Sequence, residues 1–192
     1  MIHTYIPYAP KSMDKNIGAV YNNFINMIPD GDWACFLDHD AMFTTLDWYK
    51  QMENIIEDLD TSYHDAGLLT VCTNRIGNLE QLIEGIDPQN HDIYYHRKIG
   101  RQRQIEYGNS LRKCEYVISG VVILISKAVW KQTSGFADGF LGVDNDIDRK
   151  IRELGYKSYI MEGVYCYHWY RADGMPIQGV GYATENNLPA IR

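Results

Sequence analysis

The chain has 192 residues, of which 45% are hydrophobic and 22% are charged, so we expect one folded domain over residues 1–192 and exclude a disordered or fibrous protein. Its 25 acidic residues outnumber its 18 Lys and Arg residues, which gives a net charge of −7. Because proteins that bind along nucleic acid usually carry the opposite charge, we expect no nucleic-acid partner.

The cysteine pattern bears on cellular location. Cys35, Cys72, Cys114 and Cys166 are widely spaced, without a C-x-x-C pair, which favours neither a zinc cluster nor a disulfide framework. The first residues lack the pattern of a signal peptide, and the apolar stretch 117–125 is too short to cross a bilayer. We therefore expect a cytoplasmic protein without a transmembrane segment.

Hydrophobic periodicity predicts alternating strands and helices along most of the chain. Strands are expected at 2–8, 33–37, 67–72, 116–125 and 156–167, and helices at 17–28, from Thr44 or Thr45 to Leu59, at 127–132 and at 145–154. This alternation predicts an α/β fold with a mixed, mostly parallel sheet flanked by helices. Periodicity fades over 75–113, where basic residues and tyrosines mix, so an irregular insertion is expected there.

Two carboxylates follow the apolar strand predicted at 33–37. Asp38 and Asp40 are two residues apart and can therefore point to one side and converge on one divalent cation. Open α/β folds bind ligands at the carboxyl ends of their strands, and oxygen ligands suit Mg²⁺ or Mn²⁺. The same D-x-D pattern would also occur if one acid capped the next turn and the other were exposed to solvent.

A second acidic segment begins the helix predicted at 145–154. Asp144, Asp146 and Asp148 alternate with other residues and would favour the helix dipole or cap the helix without any further role. The alternation also suits calcium, but an EF-hand is excluded because its required Gly and Glu positions hold Arg149 and Gly155.

His168 follows the last predicted strand, at 156–167. A single histidine is more often a packing residue than a metal ligand. His168 is a candidate metal ligand because it occurs in the same chain as the two groups of acids described above.

Taken in order, these segments resemble nucleotide-sugar glycosyltransferases of the GT-A fold, especially the inverting family 2. In that family a strand ends in D-x-D, and a Gly-Gly-Phe segment precedes a G-E-D-x-D helix. The matching segments here are 15–18 with Asn22, then Asp38-His39-Asp40, Gly135-Phe136, Gly142-x-Asp144-x-Asp146 and His168. The resemblance covers most of the chain outside 75–113.

The resemblance implies a role for each matched residue. Asp38, Asp40 and His168 would hold Mn²⁺ or Mg²⁺, with Asp38 also near the ribose, and Asp144 would be the catalytic base. The donor would be a nucleotide-diphosphate sugar, with a UDP-sugar expected, and the acceptor a saccharide or another hydroxyl compound. The insertion 75–113 would lie on the acceptor side.

The chain departs from the family pattern at three places. Val143 stands where the family has the first acid of its acidic pair, and Ser134 replaces the first glycine of Gly-Gly-Phe. The first helix also follows the first strand so closely that the family's second strand and base-recognising aspartate have no counterpart. The nucleotide-binding half is thus abbreviated, and donor recognition falls to a partner or to Thr4, Tyr5, Ile6, Tyr8, Asn16 and Asn22.

Two further sets of residues are candidates for binding under this resemblance. The guanidinium of Arg171 would suit the diphosphate oxygens, although a solvated surface arginine explains it equally well. Sugar rings stack on aromatic side chains, so Trp130, Trp169 and Tyr170 are candidate acceptor platforms.

Two other functions fit the same residues. A metal-dependent phosphohydrolase or nucleotidyltransferase would use the acids and His168 with water or a different nucleophile. A non-catalytic nucleotide- or carbohydrate-binding module would explain the departures at Ser134 and Val143. The sequence also leaves a homo-oligomer open.

Overall fold

The computed structural model describes residues 1–8 and 15–170. The strands are β1 (Ile2–Tyr5), β2 (Trp33–Leu37), β3 (Ala41–Phe43), β4 (Ala66–Thr73), β5 (Leu111–Lys113), β6 (Val122–Ser126) and β7 (Lys157–His168). The helices are α1 (Ile17–Met27), α2 (Trp48–Ser62), α3 (Ile93–Tyr107), α4 (Lys127–Gln132) and α5 (Val143–Glu153), with a short 3₁₀ helix at Leu79–Gln81. The predicted α/β fold class is confirmed. Within the described ranges, each helix is too short or too polar to cross a bilayer.

All the strands form one sheet, in the order β1-β2-β6-β4-β7-β3, with β5 paired to β7. The pairs β1–β2 and β4–β7 are parallel, and the other four pairs are antiparallel. The predicted mixed sheet is confirmed, but the expectation that it is mostly parallel is corrected, because antiparallel pairs outnumber parallel ones. A strand buried on both faces is a continuous apolar run whichever way it runs, so the composition of β6 carried no information about its direction.

Two strands differ from their predicted bounds in ways that matter for the site. β3 was not predicted, and it pairs antiparallel with the end of β7, with Ala41 opposite His168. The strand expected at 116–125 begins only at Val122. The residues before it form a loop that approaches α5.

The region 75–113 is not irregular, because it contains the 15-residue helix α3. The Asp92 side chain accepts a hydrogen bond from the Tyr94 N–H at 2.9 Å, which caps the first turn. The buried positions of α3 are His96 and Gly100. Since neither is a large apolar residue, the hydrophobic period that announces a helix is missing from the sequence.

The sheet has a hydrophobic cluster on each face. On one face the rings of Tyr21, Phe36 and Phe136 pack at centroid distances of 4.4 to 5.5 Å. On the other face α2 buries Met52 and Ile55 against the sheet. Both clusters pack against the strands, and they thereby position the carboxyl ends of β2 and β7 at one edge of the sheet.

Candidate functional site

The segment that follows β2 brings two acids to the end of β7. β2, β4 and β7 run in the same direction, so their carboxyl ends share one edge of the sheet. The chain leaves β2 at Leu37, passes along this edge and enters β3 on the far side of β7. Asp38 and Asp40 lie on this crossing segment, which explains why they meet a histidine more than a hundred residues away in sequence.

Asp38, Asp40 and His168 offer ligand atoms that all lie within 4.8 Å of one another. His168 Nε2 is 3.2 Å from Asp40 Oδ1 and 3.7 Å from Asp38 Oδ2. The side chain of His168 is 2% exposed, whereas those of Asp38 and Asp40 are 38% and 26% exposed. The imidazole is thus the buried member of the group, and the two carboxylates are partly exposed to solvent.

Hydrogen bonds fix both the ring and the backbone of His168. Its Nδ1 lies 2.8 Å from the Arg75 carbonyl oxygen, and because a carbonyl only accepts, Nδ1 carries the proton. Nε2 then faces the two carboxylates. Asn74 holds the backbone from both sides, since its Oδ1 accepts from the His168 N–H at 2.8 Å and its Nδ2 donates to the His168 carbonyl at 3.1 Å.

These three side chains fit a divalent cation. Two carboxyl groups and an imidazole nitrogen face one small space, and such a set is held together when a cation or a proton lies between its members. Oxygen and nitrogen donors of this kind suit Mn²⁺ or Mg²⁺. The hydrogen bond from Nδ1 to a backbone carbonyl is the arrangement that orients metal-binding histidines in proteins.

The two acids have different protonation equilibria. Burial raises the pKa of Asp38 to about 7; the charge of His168 opposes the rise, and the charges of Asp40 and Asp144 add to it. Burial also opposes ionisation of Asp40, but the hydrogen bond and charge of His168 outweigh burial and hold the Asp40 pKa below its usual value. The site therefore gathers negative charge that a cation would neutralise.

Asp144 belongs to the same charged region. It lies half-buried in the first turn of α5, where its Oδ2 accepts a hydrogen bond from the Gly120 N–H at 2.7 Å. Its charge raises the pKa of both Asp38 and Tyr21. Burial raises the pKa of Asp144 itself, although backbone N–H groups of Asn145 and Gly120 oppose that rise. Among the described residues Asp144 forms no ion pair, and backbone amides hold its carboxylate.

The other two aspartates of α5 have partners that neutralise them. Asp146 forms an ion pair with Lys150 at 2.7 Å. Asp148 is fully buried, accepts a hydrogen bond from Ser158 and pairs with Arg152 at 3.0 Å. Both are structural residues, but the capping interpretation of this segment is wrong, because the N-cap of α5 is Gly142 and it has no side-chain cap hydrogen bond.

Asn16 and Asn22 hold the loop that precedes α5. Asn16 donates to Asp138 Oδ1 at 2.8 Å and accepts from the Gly139 N–H at 3.0 Å. Asn22 accepts from the Phe136 N–H and donates to the Phe136 carbonyl, each at 2.9 Å. These amides position the loop that leads to Asp144, and their predicted contact with the donor stays a prediction.

The end of β1 provides the other predicted donor-binding residues. β1 and β2 are parallel, so the residues after β1 lie at the same edge as Asp38. The ring of Tyr5 stacks on Phe24 at 4.4 Å. Thr4, Ile6 and Tyr8 are exposed, whereas Arg171 lies outside the described residues.

The three candidate aromatic platforms have different surroundings. Trp130 donates its indole N–H to Asn22 Oδ1 at 3.0 Å and packs half-buried against the core. Trp169 is 41% exposed, and the ring of Tyr170 lies 5.2 Å from that of His168. Only Trp169 and Tyr170 therefore adjoin the three candidate metal ligands.

Sequence reasoning missed Asn74 and Gly120, which hold His168 and Asp144. Asn74 directly follows β4, so a polar residue after a buried strand was a usable signal. Gly120 gave no such signal in the sequence, because its contact with Asp144 depends on the path of a loop that the sequence does not specify.

Comparison of the sequence with models of known protein families gives no match, and comparison with curated proteins gives no significant relative.

Proposed function

We propose that this chain is a metal-dependent glycosyltransferase that moves a sugar from a nucleotide-diphosphate donor to an acceptor hydroxyl with inversion. The observation that supports it most is that Asp38, Asp40 and His168 converge within 4.8 Å at one edge of the sheet. Asp144 is close enough to this group for its charge to raise the pKa of Asp38. The proposal includes a cytoplasmic location and a saccharide or other hydroxyl compound as acceptor.

Asp38, Asp40 and His168 would hold Mn²⁺ or Mg²⁺. A cation bound there would supply neutralisation of the charge that develops on the diphosphate leaving group. The buried imidazole fixes the position of the ligand set, and the more exposed carboxylates leave room for donor oxygens.

Asp144 would act as the general base. The acceptor oxygen forms a bond to the anomeric carbon, the bond from that carbon to the diphosphate oxygen breaks, and the hydroxyl proton passes to the Asp144 carboxylate. A single displacement of this kind inverts the configuration. Burial that raises the pKa of Asp144 makes its carboxylate a better proton acceptor at neutral pH.

Donor recognition would use the carboxyl end of β1. Ile6 and Tyr8 are exposed there, at the edge that carries Asp38, and Thr4 and Tyr5 precede them. A UDP-sugar is the expected donor.

The proposal is tested by titrating the protein with nucleoside diphosphates in the presence and absence of Mn²⁺. We expect metal-dependent binding by the wild type and its loss in Asp40→Ala. Asp144→Asn should bind as the wild type does and lose roughly a hundredfold or more in turnover. Asp146→Asn is the matched control, because its ion pair with Lys150 lies on the same helix, and it should keep both properties.

The outcomes separate this function from its alternatives. Normal turnover by Asp144→Asn would exclude the inverting mechanism. Rapid donor cleavage without acceptor would indicate a phosphohydrolase, and tight binding of metal and nucleotide without turnover on any acceptor would indicate a binding module.

A further inference from the structure

A series of rings leads from the protein core to the edge that carries the candidate metal ligands. We call Tyr165, His96, Tyr167, His91 and Trp169 the aromatic ladder. At its inner end Tyr165 and His96 are both fully buried, with the Tyr165 hydroxyl 2.7 Å from His96 Nδ1. His96 Nε2 lies 2.7 Å from the Asn90 carbonyl. Since that carbonyl only accepts, Nε2 carries the proton and the tyrosine hydroxyl donates to Nδ1, which locks the first two rings.

The outer rings are held by the inner ones. The Tyr167 ring lies 4.4 Å from that of His96, and its hydroxyl is 2.8 Å from His91 Nδ1. The His91 ring in turn lies 4.3 Å from the indole of Trp169, with 35° between their planes. Each ring thus restricts the next, and the ladder ends in two rings at the protein surface.

The position of Trp169 is set by the candidate metal site. It follows His168 directly, and its backbone N–H donates to the Asp40 carbonyl at 2.9 Å. Its side chain is nevertheless 41% exposed. A large indole left open to solvent and held in one orientation loses little conformational freedom when a ligand binds to it.

We propose that His91 and Trp169 form the binding platform for a neutral pyranose ring. The C–H face of a pyranose packs on an indole, which offers a large rigid apolar surface. His91 Nε2 has no partner among the described residues and can hydrogen-bond a ring hydroxyl. A neutral rather than an acidic sugar is expected because Trp169 adjoins Asp40, which lies beside a second acid, Asp38. The further statement that this sugar is the acceptor rests on the proposed transferase function, whereas saccharide binding does not.

The test is saturation-transfer NMR of the whole chain with methyl β-D-glucopyranoside, methyl β-D-galactopyranoside and the methyl glycoside of N-acetylglucosamine. We expect at least one probe to bind the wild type. Trp169→Ala should weaken that binding about three- to tenfold, the range of an aromatic stacking contact, and Trp169→Phe should retain most of it. His91→Ala should weaken it less than Trp169→Ala.

Tyr116→Ala is the matched control. Tyr116 is 50% exposed and contacts Arg152 at the opposite end of α5 from Asp144, so its removal should leave probe binding unchanged. Circular dichroism of each variant shows whether it folds. The platform is overturned if no probe binds the wild type, or if Trp169→Ala binds as tightly as Tyr116→Ala.

Failure of the platform and failure of the transferase proposal are distinguishable. Binding of Mn²⁺ and nucleoside diphosphate together with saccharide binding insensitive to Trp169 would overturn the platform alone. Saccharide binding that depends on Trp169 in a protein that binds no nucleoside diphosphate would support the platform and overturn the transferase.

Discussion

Asp144 and Asp148 lie one helical turn apart on α5 and have opposite environments. Asp148 is fully buried between Ser158 and Arg152. Arg152 also donates to the carbonyl oxygens of Cys114 and Tyr116 at 2.9 and 2.8 Å. Asp148 therefore belongs to a network that ties α5 to the segment after β5.

Within the part of the chain that the structure describes, Asp144 has no such network. Its carboxylate accepts backbone hydrogen bonds. Its charge raises the pKa of Asp38, another acid. A buried carboxylate that is paired with a cation contributes to the cohesion of the fold, because breaking the pair leaves a buried charge. A carboxylate that lies among other acids contributes little to stability and remains available to a proton or a metal. This difference separates structural acids from reactive ones on the same helix.

The largest expected effect is a loss of stability when Asp148, the structural acid of the pair, is replaced. Asp148→Ala should lower the free energy of unfolding by about 3 to 5 kcal/mol, since it leaves Arg152 partly buried without its partner. Asp144→Ala should cost clearly less, about 1 kcal/mol, the scale of a hydrogen bond. Urea unfolding of the two variants measures both values, and equal losses would contradict the distinction.

The next effect concerns residues that act through a metal ligand. Asn74→Ala should weaken Mn²⁺ binding about 10- to 100-fold, because Asn74 clamps the backbone of His168. Asn78→Ala is the control: Asn78 is also buried and donates to the Val117 carbonyl at 2.9 Å. It should lose stability but keep its Mn²⁺ affinity. Equal losses of affinity in both variants would mean that the effect is a general loosening of the fold.

The smallest expected effect is a pH dependence of metal binding. Burial raises the pKa of Asp38 to about 7, so below pH 7 a cation must displace a proton from this carboxyl group. Mn²⁺ affinity should then be constant above pH 7 and fall as pH decreases, by up to about tenfold per pH unit for one proton. Titrations at a series of pH values measure the slope, and Asp38→Asn should bind more weakly with a smaller slope. A wild-type affinity that does not change from pH 8 to pH 6 would contradict the raised pKa.

The raised pKa of Asp38 also affects the metal-free protein, with the opposite sign. A carboxyl group that binds its proton more tightly when folded stabilises the protein at low pH and loses that contribution as pH rises toward 7. Removal of metal at pH 8 should therefore leave a less stable protein than removal at pH 6, as thermal unfolding would show.

The sequence predicted those parts of the fold and site that depend on local patterns. The buried apolar run at 33–37 identified β2, and its position identified Asp38 and Asp40 as residues at a strand end. Helical spacing predicted α1 and α2, and the acids of α5 marked its first turn. In each case one short segment carries the whole signal.

The parts of the fold and site that could not be predicted from the sequence depend on residues far apart in the chain. β3 has only three residues, too few for a pattern, yet its pairing with β7 is what brings Asp40 to His168. α3 buries His96 and Gly100, and this gives no hydrophobic period. The different surroundings of Asp144 and Asp148 were also invisible, because Arg152 and Ser158 distinguish them only in the folded chain.

The central claim is that Asp38, Asp40 and His168 bind one cation together, and electron paramagnetic resonance of Mn²⁺ tests it most directly. We expect the wild type to remove the signal of free Mn²⁺ with one ion bound per chain. Asp40→Ala and His168→Ala should each abolish this binding, and Asp146→Ala, whose charge lies outside the group, should retain it. A wild type that leaves Mn²⁺ free, or an Asp40→Ala variant that binds it as tightly as the wild type, would contradict the claim.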